Sequence, residues 1–130
     1  MSSQLVWELV KHNNAFLVKG VNGTVFSREA GNLYNRNSYK YSGLANFNST
    51  VDVAAAKDGG VQVSKSRGKN ASKPSAARAV SVIKKNARRT NYAVGAEAQR
   101  VRPDLKKAAV ARASAVTKSQ RVKKSAAASS

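Results

Sequence analysis

The sequence predicts an α+β protein: an N-terminal helix with a small antiparallel sheet, followed by basic C-terminal helices and a frayed tail. Three observations carry that expectation. An apolar stripe at helical spacing opens the chain. Two turn signals, Asn22-Gly23 and Asp58-Gly59-Gly60, each sit between short alternating runs. Beyond Pro74, helical spacing returns with charge of nearly one sign.

Each element follows from local chemistry. Leu5, Val6, Leu9 and Val10 recur as on one helix face, behind capping residues Ser2 and Ser3 and with Trp7 beside the stripe. Residues 16–21 and 24–27 flank Asn-Gly, the strongest short hairpin signal. Tyr39 and Tyr41 share one face of an expected strand that ends at Gly43. Val51, Val53 and Ala55, then Val61 and Val63, alternate on either side of the Asp-Gly-Gly turn, which predicts a second hairpin. Residues 65–73 are polar, basic and aperiodic. After Pro74, Ala76, Val80, Ile83 and Ala87 fall on one helical stripe, opposite Arg78, Lys85 and Arg89. Pro103 suits a first helical position and Asp104 a first turn. Leu105, Ala109, Ala113 and Val116 then line a last helix. The expected organisation is a mixed helix and sheet module over 1–66, a basic linker over 67–74, a basic helical region over 75–122 and a disordered tail over 123–130.

Charge narrows the function. The 130 residues carry 24 Lys and Arg against 6 Asp and Glu, a formal +18. Up to Ser64 the balance is only +2, and the remainder carries +16. Seven of the eight aromatic residues lie at or before Phe47, leaving Tyr92 alone in the basic half. This predicts a first half that builds the core, with Trp7, Phe16 and Phe26 inside it, and a second half that meets a polyanion. Mixed-charge helices solvate their faces with i,i+4 ion pairs, and these helices lack the acidic partners to do so.

Competing functions lose ground on the same composition. No cysteine and a single histidine, His12, remove disulfides, thiolate chemistry and the usual zinc ligand sets. The six carboxylates are scattered, with no triad and no glycine-rich phosphate loop, so no enzyme acting on a small-molecule substrate is expected. No apolar run approaches the roughly 20 residues of a membrane span. The N-terminus lacks a basic flank and an apolar signal core, so the chain reads as soluble and not secreted. The basic stripes lack Trp, Phe and clustered Leu, which argues against membrane binding. Linker-histone-like chromatin binding is the alternative, opposed by the abundance of arginine in the basic half.

The candidate phosphate contacts are Arg36 and Lys40, in an aromatic loop over 32–41, and Lys65, Arg67, Lys69 and Lys73 at the linker. Arg78, Lys84, Lys85, Arg88 and Arg89 follow, then Arg102, Lys106, Lys107, Arg112, Lys118 and Arg121. Such side chains supply affinity with little sequence information. Reading RNA also takes stacking on aromatic or guanidinium planes, for which Tyr34, Tyr39, Tyr41 and Phe47 are candidates.

Several blocks keep the order found in one known family. They are Leu5-Val6-Trp7, Asn14-Ala-Phe-Leu-Val-Lys19, Asn32-Leu33 and Arg36-Asn37-Ser38-Tyr39-Lys40-Tyr41-Ser42-Gly43-Leu44. Lys85-Asn86-Ala87-Arg88 follows, then Arg102-Pro103-Asp104-Leu105-Lys106-Lys107-Ala108-Ala109, Ala113-Ser114-Ala115 and Ser119-Gln120. In these the chain resembles the eukaryotic large-subunit ribosomal protein twenty-eight family. The resemblance implies an α+β N-terminal region and basic C-terminal helices assembled on large-subunit rRNA, beside neighbouring large-subunit proteins. It further implies the cytosolic ribosome after nucleolar assembly, with no enzyme activity and no cofactor.

Overall fold

Ser2 opens the first helix as its position predicts. Its hydroxyl accepts the Leu5 amide at 3.3 Å, satisfying a donor that the first turn of a helix leaves free. The computed structural model describes residues 2–47, 49–68 and 72–128, which fall into two compact units, 1–48 and 49–130.

In the first unit, α1 (Ser3–Val10) leads to β1 (Leu17–Lys19) and β2 (Val25–Ser27), an antiparallel pair with Val18 opposite Phe26. The connecting turn has φ of 58° at Asn22 and 72° at Gly23, and the Thr24 amide bonds to the Val21 carbonyl. This is the left-handed turn that matches strand twist, as Asn-Gly predicts. Two expectations fail here. Residues 38–42 form turns, with the Tyr41 and Ser42 amides bonded back to the Ser38 carbonyl, so Tyr39 and Tyr41 lie on no strand. Asn32 fastens the backbone just before this stretch and the Ser42 hydroxyl accepts the Leu44 amide just after it, so local bonds take the place of a ladder. Phe16 and Phe26 are not core: they are 39% and 44% exposed, because a two-stranded ribbon has too little surface to cover its rings. Trp7 is half-buried, with its ring edge-on to Tyr39.

The second unit holds a three-stranded antiparallel sheet in the order β3 (Val51–Ala55), β4 (Val61–Ser66), β5 (Arg78–Ile83), then α2 (Ala87–Val101) and α3 (Lys106–Ala128). The alternation read in the sequence holds: Val51, Val53, Val61 and Val63 are all buried on one face. That face meets α3, and α2 packs along α3. Val94, Ala98, Leu105, Ala108, Ala109 and Ala113 complete the core, so the predicted stripe from Leu105 to Ala113 is the buried one. Gly95 lets the helices approach closely, since a Cβ there would lie 3.2 Å from Val110 Cγ2.

The helix expected from Ala76 through Ala87 is a strand instead. Residues 78–83 pair with β4, Val63 opposite Ser81, and the helix begins only after Asn86, whose side chain caps the Arg89 amide. Val80 and Val82 fit a period of two while Val80 and Ile83 fit the helical period, and the open edge of β4 decides between them. The unit boundary precedes β3, and the second hairpin belongs with the basic helices. At the other end, α3 runs past Val122 to Ala128, with residues 121–127 all exposed.

Candidate nucleic-acid interface

The register of the helical hairpin decides which cations come together. Gly95 faces Val110, and Asn91 Nδ2 donates to Ser114 Oγ at 2.9 Å, so α2 and α3 run antiparallel. Continued along both helices, this register brings Lys118 level with Ala87 at the start of α2, with Arg121 one turn further along α3. A second tie fixes the same end. The Gln120 amide donates to the Gly60 carbonyl at 2.7 Å and accepts the Gly60 amide at 3.3 Å. Gly60, at φ 87°, is pressed against β5: a Cβ there would sit 2.7 Å from the Ile83 carbonyl oxygen. Only glycine fits.

Lys84, Lys85, Arg88, Arg89, Lys118 and Arg121 therefore collect at one pole of the second unit, all exposed. None of the six joins an ion pair among the described residues. The adjoining turn carries Lys57 and Asp58, which offset each other. Four of these cations lie at or before the first turn of α2, which holds no acidic residue. The helix N-terminus is the positive end of the backbone dipole, so their placement is electrostatically unfavourable until an anion arrives.

Other candidates are engaged differently. The Lys65 ammonium pairs with Glu97, which also meets Arg100 at 3.4 Å. The Glu97 carboxyl is held below its ordinary value, first by the hydrogen bond from Lys65, with burial opposing and the Lys65 and Arg100 charges assisting. Arg102 forms a two-pronged pair with Asp104, at 2.9 and 2.8 Å, and donates to the Ser49 carbonyl at 3.3 Å. Both side chains are thus already paired within the second unit. Lys106 donates to Gln99 at 2.7 Å, Lys107 is exposed on the first turn of α3, and Arg112 is half-buried. Arg67, Lys73 and Arg78 are exposed around the start of β5, and Lys69 lies outside the described residues.

The first unit presents Arg36 and Lys40 on a loop shaped by a buried asparagine. Asn32 Oδ1 accepts the amides of Tyr34 at 3.3 Å and Arg36 at 3.2 Å, and its Nδ2 donates to the Arg36 carbonyl at 2.8 Å. Arg36 and Tyr34 are exposed in consequence, and Lys40 lies 5.8 Å from the centre of the Tyr41 ring. Tyr34 and Tyr41 meet edge to face at 5.1 Å. Tyr39 shares a hydrogen bond with Ser3 at 2.9 Å, and Phe47 is exposed. Sequence reasoning left Tyr92 out of the stackers, although it is 82% exposed on α2. Its spacing of four and three residues from Arg88 and Arg89 was the available signal.

The fold and its charge define a small basic α+β protein whose cations are displayed at the surface of a closely packed second unit. The Ribosomal L28e protein family model matches residues 5–119, and the chain belongs to that family, whose members are structural constituents and not enzymes. The chain is 43% identical to "Large ribosomal subunit protein eL28" of Dictyostelium discoideum over 98% of this chain and 96% of that one. It is 37% identical to the protein of the same name from Schizosaccharomyces pombe, over 95% and 96%. The similarly named Caenorhabditis elegans protein is 49% identical over 45% of this chain and 47% of its own.

Proposed function

We propose that this chain is a structural constituent of the cytosolic large ribosomal subunit and binds folded rRNA through the basic pole of its second unit. The observation that carries the reading is the gathering of Lys84, Lys85, Arg88, Arg89, Lys118 and Arg121 at one end of a helical hairpin, without carboxylate partners among the described residues. Phosphates relieve the mutual repulsion and release counterions as they bind. Arg36 and Lys40 supply a second contact from the first unit, and Lys107 a third from α3. Lys65 and Arg102 act instead by holding the fold that displays the others. Neighbouring large-subunit proteins are the other partners, with assembly beginning in the nucleolus. No helix among the described residues is long and apolar enough to cross a membrane.

Co-sedimentation with the large subunit through moderate salt washing is the first test, and sedimentation with the small subunit or with chromatin alone overturns the assignment. The second is a titration of deproteinised large-subunit rRNA against salt. Replacing Lys85, Arg88 and Arg89 with Gln should flatten the log–log salt slope by about 2 to 3, from roughly 0.7–0.9 per phosphate contact. The melting temperature should hold or rise, since the charges removed repel one another. An unchanged slope places this pole against solvent or protein.

A further inference from the structure

Tyr92 is 82% exposed in a unit that buries even its alanines, Ala98, Ala109 and Ala113, completely. Among the described residues the rings that pair are Trp7 with Tyr39 and Tyr34 with Tyr41, and Tyr92 joins neither. Folding gains nothing from it, because alanine is the better helix former at an exposed helical position. Its surroundings on α2 are more telling than its exposure. Arg88 and Arg89, four and three residues earlier, share its face and are exposed. Helical side chains lean towards the N-terminus, so the ring leans towards the turn from which these two arginines leave. On the other side, three and four residues later, stand Gly95 and Ala96, which have no bulk to cover the ring.

We infer that Tyr92 is a stacking platform for one unpaired nucleobase of RNA, with Arg88 and Arg89 holding the backbone phosphate beside it. This rests on the rRNA-binding reading above and adds a specific element to it. Lysine and arginine alone would hold a duplex or a single strand indifferently, whereas an open aromatic face admits a base only where it is unstacked. The spacing suits one nucleotide: side chains at i and i+4 lie about 5–6 Å apart at Cβ, a distance that the sugar can bridge between base and phosphate. A neighbouring protein could also cover the ring. Such a partner would have to answer several unpaired cations in the same patch, which one nucleotide strand does unaided.

The test uses the full chain and deproteinised large-subunit rRNA. Tyr92→Ala should lose about 5- to 150-fold in affinity, the worth of stacking one base, while the salt slope stays that of the wild type because no phosphate contact is removed. Tyr92→Phe keeps the ring and should keep the affinity. Ultraviolet cross-linking of the wild-type complex, read by mass spectrometry, should give a nucleotide adduct on Tyr92, a result independent of how either variant folds. Equal affinity of Tyr92→Ala, a Phe variant as weak as the Ala variant, or adducts only at other residues overturns the stacking site and leaves the phosphate-binding pole standing. Failure of the wild-type chain to bind deproteinised rRNA overturns both.

Discussion

The two units are held together by different materials. Among the described residues, the first buries Leu33 and Ala45 together with Ser27, Asn32 and Ser42. Its loops are fastened by side chains bonded to backbone: Asn32 to the Tyr34–Arg36 segment, Asn14 to Val10 and Phe16, and Asn37 to Lys11. Glu29 joins them by accepting the Ser42 hydroxyl and the Gly43 amide. The second unit buries ten apolar side chains among its described residues, all valine, alanine or leucine, between a sheet and two close helices. The unit with most of the aromatic residues thus has the smaller apolar core, and the unit with most of the charge has the larger. Aromatic content supplies area that could be buried, but a three-residue ribbon and one short helix cannot enclose it. Small side chains at helical spacing bury completely, because two helices can close over them.

Core truncation in the second unit is the largest expected effect. Leu105, at the end of the single 3-10 turn that leads into α3, is 5% exposed, and Leu105→Ala should cost about 2–5 kcal/mol. Denaturant melts check the size, and hydrogen exchange should show lost protection from β3 through α3. A loss under 1 kcal/mol would mean that the helices do not depend on this packing.

In the first unit a polar residue should matter more than an aromatic one. Asn32→Ala removes three part-buried bonds to the Tyr34 and Arg36 backbone at once, at about 1–3 kcal/mol. The exchange rates of the Tyr34 and Arg36 amides report it directly, and protection at Val63 should hold. Phe16→Ala, which a fully buried ring would raise to about 3–5 kcal/mol, should cost only about 1–2 kcal/mol, scaled to a side chain 39% exposed. If Phe16 proves costlier than Asn32, the first unit has an apolar core after all.

The smallest effect concerns the Lys65–Glu97 pair that joins β4 to α2. The Glu97 carboxyl titrates below its ordinary value in the folded chain, so the pair's contribution is complete above that value, about 4.5. It fades as pH falls through the lowered folded value. Lys65→Met should remove this part of the acid limb, worth a few tenths to about 1 kcal/mol for a pair this accessible to solvent. Melting temperatures at pH 7 and pH 3 for both proteins give the comparison, and an equal drop in each would assign the acid limb to other carboxylates.

Much of the architecture was legible residue by residue. Ser2 as a cap, Asn22-Gly23 as a tight turn, the alternating valines of β3 and β4, and Leu105-Ala109-Ala113 as a buried stripe are decided within a few residues by hydrogen bonding and periodicity. The α+β class, the strongly basic character of the second half and the family blocks followed from such local signals. What local signals left open was every choice between partners. Residues 78–83 fit either period and became a strand because β4 offered an unpaired edge. Lys65 reads in the sequence as one more phosphate contact, and only the fold sets Glu97, 32 residues further on, beside it. Phe16 and Phe26 are apolar wherever they stand, yet only the surface available to cover them fixes whether they are core. The pole of six cations is likewise tertiary, since Lys84 and Arg121 are separated along the chain and are brought to one end by Gly60, which lies against Lys84 and bonds to Gln120. Sequence determines what each residue can exchange with water, and the tertiary structure determines which exchange is made, because burial, pairing and display depend on neighbours distant in the chain.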